Sequence, residues 1–323
     1  MIGRRRFVIL IGGAVMGAAN PSLGQPKPAA RVGVLVLGYP DPAPFLRTLR
    51  AELAALGYAE GRNLVLDIRS AAGQVSGLRA EAEGLVRARV DVIVAFQTPA
   101  AHAAKDATAQ IPIVMASVGD PLATHLISNL ARPGGNITGF SGQSVEIAGK
   151  TMSLIQELLP DARRIALLGN AADPFTKPYE AQNEAAAKVL GLGFVPVIIT
   201  PATPLEQAFA TIEREKADAL IIQSSIFREE AAGLALKYRL PTASNTTFAA
   251  RKGVLMSYSA NQTEMFRSVA DYVDRILKGA SPATLPVQQP RKFDLTLNLK
   301  TARALGLTVP PYLLARADEV IDQ

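Results

Sequence analysis

Residues able to do chemistry are few in this chain, and they do not assemble into a reacting set. His102 and His125 are the two histidines of the 323 residues, and neither sits in a cluster of His, Asp and Glu that would fill a metal's coordination sphere. Both read as surface or packing positions on helices. With no cysteine anywhere, thiol nucleophiles, thiolate metal sites, disulfides and a lipoprotein anchor are all excluded. The chain carries no Gly-x-Ser-x-Gly elbow, no Walker loop and no Gly-x-Gly-x-x-Gly fingerprint. Gly134 and Gly135 make a turn, and the neighbouring Glu229 and Glu230 read as a solvated helix face. The expectation is a protein without catalytic residues, cofactor or metal, and not an enzyme.

What remains is a set of polar and aromatic residues placed just after apolar runs. In the first half these are Gly38, Tyr39, Gln97, Thr98, Pro99, Asp120, Pro121 and Ser141. In the second half they are Asn170, Asp173, Phe175, Tyr179, Ser224, Ser225, Phe227, Tyr258 and Asn261. Each has a bland role beside the functional one: Thr98, Asp120 and Ser141 can cap turns, the rings can be core, and Asn and Ser are ordinary turn residues. A ligand contact is the alternative, because strand-exit turns share one edge of an open α/β sheet. Exposed amides and helix N-termini form a crevice there.

The elements that must hold these residues are legible as local patterns. Val92 to Phe96 is a continuous β-branched and aromatic run, too short for a helix, and reads as a parallel strand covered on both faces. Gln97-Thr98-Pro99 stops it, with Thr98 as N-cap and Pro99 at the first helical position of Ala100 to Ala109. Ile113 to Val118 is the next strand, and Gly119-Asp120-Pro121 reads as another strand-to-helix turn. Before this stretch, Val32 to Leu37 and Asn63 to Ile68 are strands, with amphipathic helices on Leu46, Leu49, Leu53, Leu56 and on Leu78, Ala82, Leu85, Val86.

From Arg164 the order recurs: an apolar strand to Leu168, a turn through Asp173-Pro174, a helix from Tyr179 to Leu190, and strands at Phe194 to Ile199 and Asp218 to Ile222. Two copies of one unit imply two similar lobes. The tail then departs from a plain duplication. Val254 to Ser257 is a strand, Gln262 to Lys278 a helix, and the final segment is long enough to cross back. The expected partition is 31–140 with 259–285 as one lobe and 141–258 with 286–323 as the other.

Composition agrees with a globular chain, at 49% hydrophobic and 19% charged. Met1 to Gln25 places Arg4, Arg5 and Arg6 before an apolar run and the small-residue site Ser22-Leu23-Gly24, the pattern of a signal peptide over residues 1–24. The arginines also resemble a twin-arginine signal. Export to the periplasm is the expectation. The formal net charge of +6 falls to +3 once the three leader arginines are removed, and no basic run or aromatic-basic interleaving occurs, so no nucleic-acid partner is expected.

The stretch FQTPAAHAAKDATAQIPIVMASVGDPLATHLISNLARPGGNITGFS, with LMSYSAN and LPVQQPRKFDLTLNLKTARALGL, resembles the ABC transporter substrate-binding proteins of the tryptophan/tyrosine-binding group. The resemblance covers the chain beyond the leader. It implies the type I periplasmic binding protein fold: an α/β pair of Rossmann-like lobes with parallel sheets, joined by multiple crossings. It further implies a ligand in the cleft and delivery to a membrane permease by a monomer. A micromolar affinity needs about 8 kcal/mol. One buried ring contributes roughly 2 of that, and a helix N-terminus up to about 2 for an anion, which favours a small aromatic or apolar carboxylate. The alternative from another class is a secreted receptor that presents its ligand to a membrane sensor.

Overall fold

Five apolar runs of the first half pair side by side in one parallel sheet: β1 (Ala30–Val36), β2 (Leu64–Ser70), β3 (Val92–Phe96), β4 (Ile113–Val118) and β5 (Ile137–Ser141), in the order β2-β1-β3-β4-β5. The computed structural model describes residues 28–38, 42–142, 145–200 and 202–322. All five residues of β3 are buried, as a strand covered on both faces requires. Phe45, Leu49 and Leu53 of α1 (Ala43–Ala55) pack on one face of the sheet. The other face receives α2 (Leu78–Arg87) and α3 (Thr98–Ala107) through Leu78, Ala82, Leu85, Ala100, Ala101 and Ala104.

The second half contributes α4 (Val145–Leu158), β6 (Arg164–Asn170), α5 (Thr176–Val189), β7 (Gly193–Ile199), α6 (Leu205–Arg214), β8 (Ala219–Ile222), α7 (Glu229–Lys237), β9 (Thr242–Ser244), α8 (Thr247–Arg251) and β10 (Met256–Ala260). The chain then forms α9 (Gln262–Leu277), β11 (Phe293–Asn298), α10 (Leu299–Leu305), α11 (Pro311–Leu314) and β12 (Glu319–Ile321). The second sheet runs β12-β11-β10-β9-β8-β6-β7. Its part β7-β6-β8-β9-β10 repeats the order of the first sheet, so the internal repeat is carried through at the level of topology. β11 is antiparallel to β10, whereas every other neighbouring pair is parallel. The reversal follows from the path: β10 leaves the sheet toward the first half, and β11 comes back from it.

Helix α9 belongs spatially to the first sheet, where Met265, Phe266, Val269 and Val273 join the core built by Phe45 and Phe96. The chain therefore passes between the two halves after Ser141, after Ala260 and after Gln288. Backbone bonds stitch these passages together. Ser141 N donates to Gln288 O and Gln288 N to Gly139 O, each at 2.9 Å, and Asn261 N donates to Lys292 O at 2.9 Å.

One expected element is absent. Gly119-Asp120-Pro121 starts turns over residues 121–125 and no helix. Asp120 Oδ1 accepts from Leu122 N (3.2 Å) and Ala123 N (3.0 Å), capping a single turn, and His125 then adopts φ 57°, which a helix cannot continue through. Lys105 Nζ donates to the carbonyls of His125 and Leu126 and holds that irregular segment against α3.

Candidate functional site

Strand exits of both sheets face each other across a cleft. Its inner chamber, about 50 Å³ in volume, is lined by Phe45, Phe96, Gln97, Ser117, Met265 and Phe266 from the first half. Ser224, Asn245, Thr246, Phe248, Arg251 and Ser259 line it from the second. An outer mouth shares Phe248 and adds Gly38, Ala72, Phe227, Arg228, Glu229 and Glu230. Small-molecule sites combine apolar walls with a few polar groups, which is the composition of this chamber.

The apolar wall is aromatic. Phe45 and Phe96 stack with centroids 4.7 Å apart at 16°, and Phe266 meets Phe45 edge-on at 5.0 Å. Opposite them stands Phe248, edge-on to Phe227 at 6.1 Å, with Lys252 Nζ 5.9 Å from its centroid. Charge is scarce inside. Arg251 binds the Glu319 carboxylate through both Nε and Nη2 at 2.9 Å, so its charge is already matched.

Two strand exits on the first side are conformationally unusual. Gln97 has φ 73° and ψ 161°, a region almost confined to glycine that costs about 1–3 kcal/mol for other residues. Ser117, at the end of the adjacent β4, has φ 55°. Both line the chamber, where strain of this kind is held by surrounding structure and serves a site. Gly38, in the mouth, has φ 102°, and a Cβ there would lie 2.8 Å from Ser70 Oγ.

A family model described as ABC transporter substrate binding protein matches residues 46–321, most of the chain. The chain belongs to that family. A tyrosine-binding protein of Clostridioides difficile (strain R20291) is 26% identical over 258 residues, covering 78% of this chain and 73% of the relative. A conserved domain protein from Vibrio cholerae superposes with a TM-score of 0.84 at 29% identity, over 91% of this chain and all of that one. A domain from Streptococcus pneumonia, crystallised in complex with L-Trp, superposes at 0.82 with 27% identity over the same shares. Members of this family are substrate-binding proteins, not enzymes, and the chain has the type I periplasmic binding protein fold.

The expected site residues fall into distinct groups. Gln97 and Ser224 line the inner chamber, and Gly38 and Phe227 line the mouth. Several others spend their polar atoms within the chain. Thr98 Oγ1 accepts from Gly119 N at 2.9 Å, which ties the β4 exit to the start of α3 and its buried Pro99. Pro121 O accepts from Leu126 N and Ile127 N. Ser141 is buried in β5, its N–H held by Gln288. Asn170 donates through Nδ2 to Ser225 O (3.3 Å) and accepts from Ala172 N. Asp173 accepts from Phe175 N (2.9 Å) and from Gln223 Nε2 (3.0 Å), and burial pushes its carboxyl above the usual carboxylate range. Asn261 caps α9 by accepting from Glu264 N at 2.9 Å and donates to Asp294 Oδ2 at 2.7 Å, so it acts at a passage between the halves.

Among the rings, Phe175, Tyr179 and Phe227 take the core role, each at most 3% exposed, although Phe227 also edges the mouth and Phe175 meets Gly119 of the first half. Phe175 stacks on Tyr179 at 5.4 Å within the core of the second half, because the turn after β6 folds inward over that core. Tyr258 stacks on Phe293 of β11 at 5.6 Å. Tyr39 lies outside the described residues, as do Met1 to Gln25. Sequence reasoning missed Phe45, Phe248, Phe266, Asn245 and Ser117. Asn245 follows β9, a three-residue strand too short to register as a pattern. Among the described residues no group of three or more His, Cys, Asp or Glu could hold a metal, and no helix is long and apolar enough to cross a membrane.

Proposed function

We propose that this chain is the exported solute-binding component of an ABC importer, which captures an aromatic amino acid between its lobes and delivers it to a membrane permease. The observation that carries the reading is the chamber itself: Phe45, Phe96 and Phe266 face Phe248 across it, and its one described cation, Arg251, is neutralised by Glu319. Such a box suits a flat apolar side chain with a small polar head and disfavours a polyanion. The tyrosine-binding relative and the L-Trp-bound neighbour support the same class of ligand. Residues 1–24 direct export and are removed. Residues 31–141 with 261–288 move as one body and 142–260 with 289–322 as the other, the passages falling one to three residues beyond the expected ones, in a monomer that catalyses no reaction.

A thermal-shift screen of the mature protein against the twenty amino acids tests this. At 100 times its dissociation constant a ligand adds about 2.7 kcal/mol of stability. L-Tryptophan or L-tyrosine should raise the melting temperature by several degrees and acidic or basic amino acids should not. A shift with aspartate or arginine alone would refute the aromatic assignment.

A further inference from the structure

We infer that Gln97 and Asn245, one from each lobe, read the two ends of an amino acid's zwitterionic head group. This rests on the aromatic amino-acid reading above and adds the side chains that make it selective for the head. Both amides are more than nine-tenths buried, Gln97 at 6% exposure and Asn245 at 7%, and both line the inner chamber. Each leaves one polar atom without a partner: Oε1 of Gln97, an acceptor, and Nδ2 of Asn245, a donor. Buried amide atoms are costly to leave unpaired, and native chains satisfy nearly all of them. Two orphans of opposite kind on facing walls of one chamber are what a bridging ligand would satisfy.

Their orientation is set by the backbone around them. Ser224 N donates to Asn245 Oδ1 at 3.1 Å, which leaves the amide nitrogen as the open end. Gln97 spends its main-chain groups on Ala116 O and Ala101 N, so its amide is the group left to face the cleft. The glycine-like backbone at Gln97 is thus retained under a side chain that no glycine could supply. An acceptor on the first lobe matches the ligand's ammonium, and a donor on the second matches its carboxylate. Neither amide carries charge, so together they suit a head group whose own charges cancel. Because they sit on different lobes, both are satisfied only when the ligand spans the cleft, which couples head-group recognition to closure.

Titration calorimetry of the mature protein with L-tryptophan, 3-indolepropionate (no ammonium) and tryptophanol (no carboxylate) tests the assignment. The parent protein should bind L-tryptophan more tightly than either analogue. Gln97→Met should weaken L-tryptophan by about 10- to 100-fold, the loss of a hydrogen bond to a charged group, and leave 3-indolepropionate unchanged. Asn245→Asp keeps the acceptor for Ser224 N; it should weaken L-tryptophan at least as much and leave tryptophanol unchanged or tighter. Variants that bind L-tryptophan within twofold of the parent would overturn the inference, as would equal losses for all three compounds, the mark of a merely structural role. A parent protein that binds no amino acid would remove the underlying reading along with it, whereas binding that is indifferent to both substitutions sinks this inference alone.

Discussion

Adding one methyl group at Gly119 should hold the cleft open. Gly119 follows β4 on the first lobe, and Phe175 of the second lobe rests against it: a Cβ built there falls 2.5 Å from Cδ1 and Cγ of the ring and 2.7 Å from Cδ2. Ordinary contact begins near 3.4 Å, so the overlap is about 1 Å, and it is with the root of the ring, which cannot swing aside. Phe175 is stacked on Tyr179 and only 3% exposed. Overpacking of this kind costs about 1–3 kcal/mol. The cost exists only while the lobes touch, since parting them separates the methyl from the ring and the backbone of Gly119 is not in the left-handed region. Gly119→Ala should therefore weaken ligand affinity by about 5- to 150-fold while leaving the melting temperature of the ligand-free protein within a degree or two. Calorimetry with whichever amino acid scores in the thermal screen, paired with small-angle scattering of the liganded form, reads both effects. Phe175→Ala in the same background should recover part of the affinity. Parent-like binding by Gly119→Ala would refute the role of this contact in closure, and so would a fall of many degrees in the ligand-free melt, because the clash would then lie within one lobe.

Phe227 is 1% exposed in the core of the second lobe although it also edges the mouth; Phe227→Ala should destabilise the ligand-free protein by about 3–5 kcal/mol, measurable by urea unfolding, and a loss under 1 kcal/mol would show that the ring is dispensable to the core. His102 is held below its ordinary pKa chiefly by burial, with Lys105 and His125 adding to the effect and Asp106 opposing it, and its Nε2 is buried without a partner. The folded state thus favours the neutral ring, so the stability this gives is present above about pH 6.5 and lost as pH falls below it. Melting temperature followed from pH 8 to 5 should drop more steeply for the parent than for His102→Gln, and parallel curves would exclude the histidine as the cause.

Local chemistry was enough to read the repeating strands, the helices that separate them and the doubled α/β unit, because an apolar run and its stop signals act over a handful of residues. β3, buried throughout and closed by Gln97-Thr98-Pro99, is written in its own letters. Gln97 and Ser224 were legible as candidates for the same reason: a strand exit in an open sheet faces the crevice by topology. The tertiary structure alone decided which exits look into the chamber and which are consumed in holding it. Asn170, Asp173 and Asn261 have the composition of ligand groups, yet their atoms are taken by Ser225, Gln223 and Asp294, partners 33 to 55 positions away that no local pattern names. The aromatic wall is a meeting of Phe45, Phe96 and Phe266 with Phe248, brought together by α9 returning to the first sheet and by α8 facing it from the second. A cleft exists only between segments distant in sequence, so its lining is a property of packing, while the strands that carry it are a property of the chain.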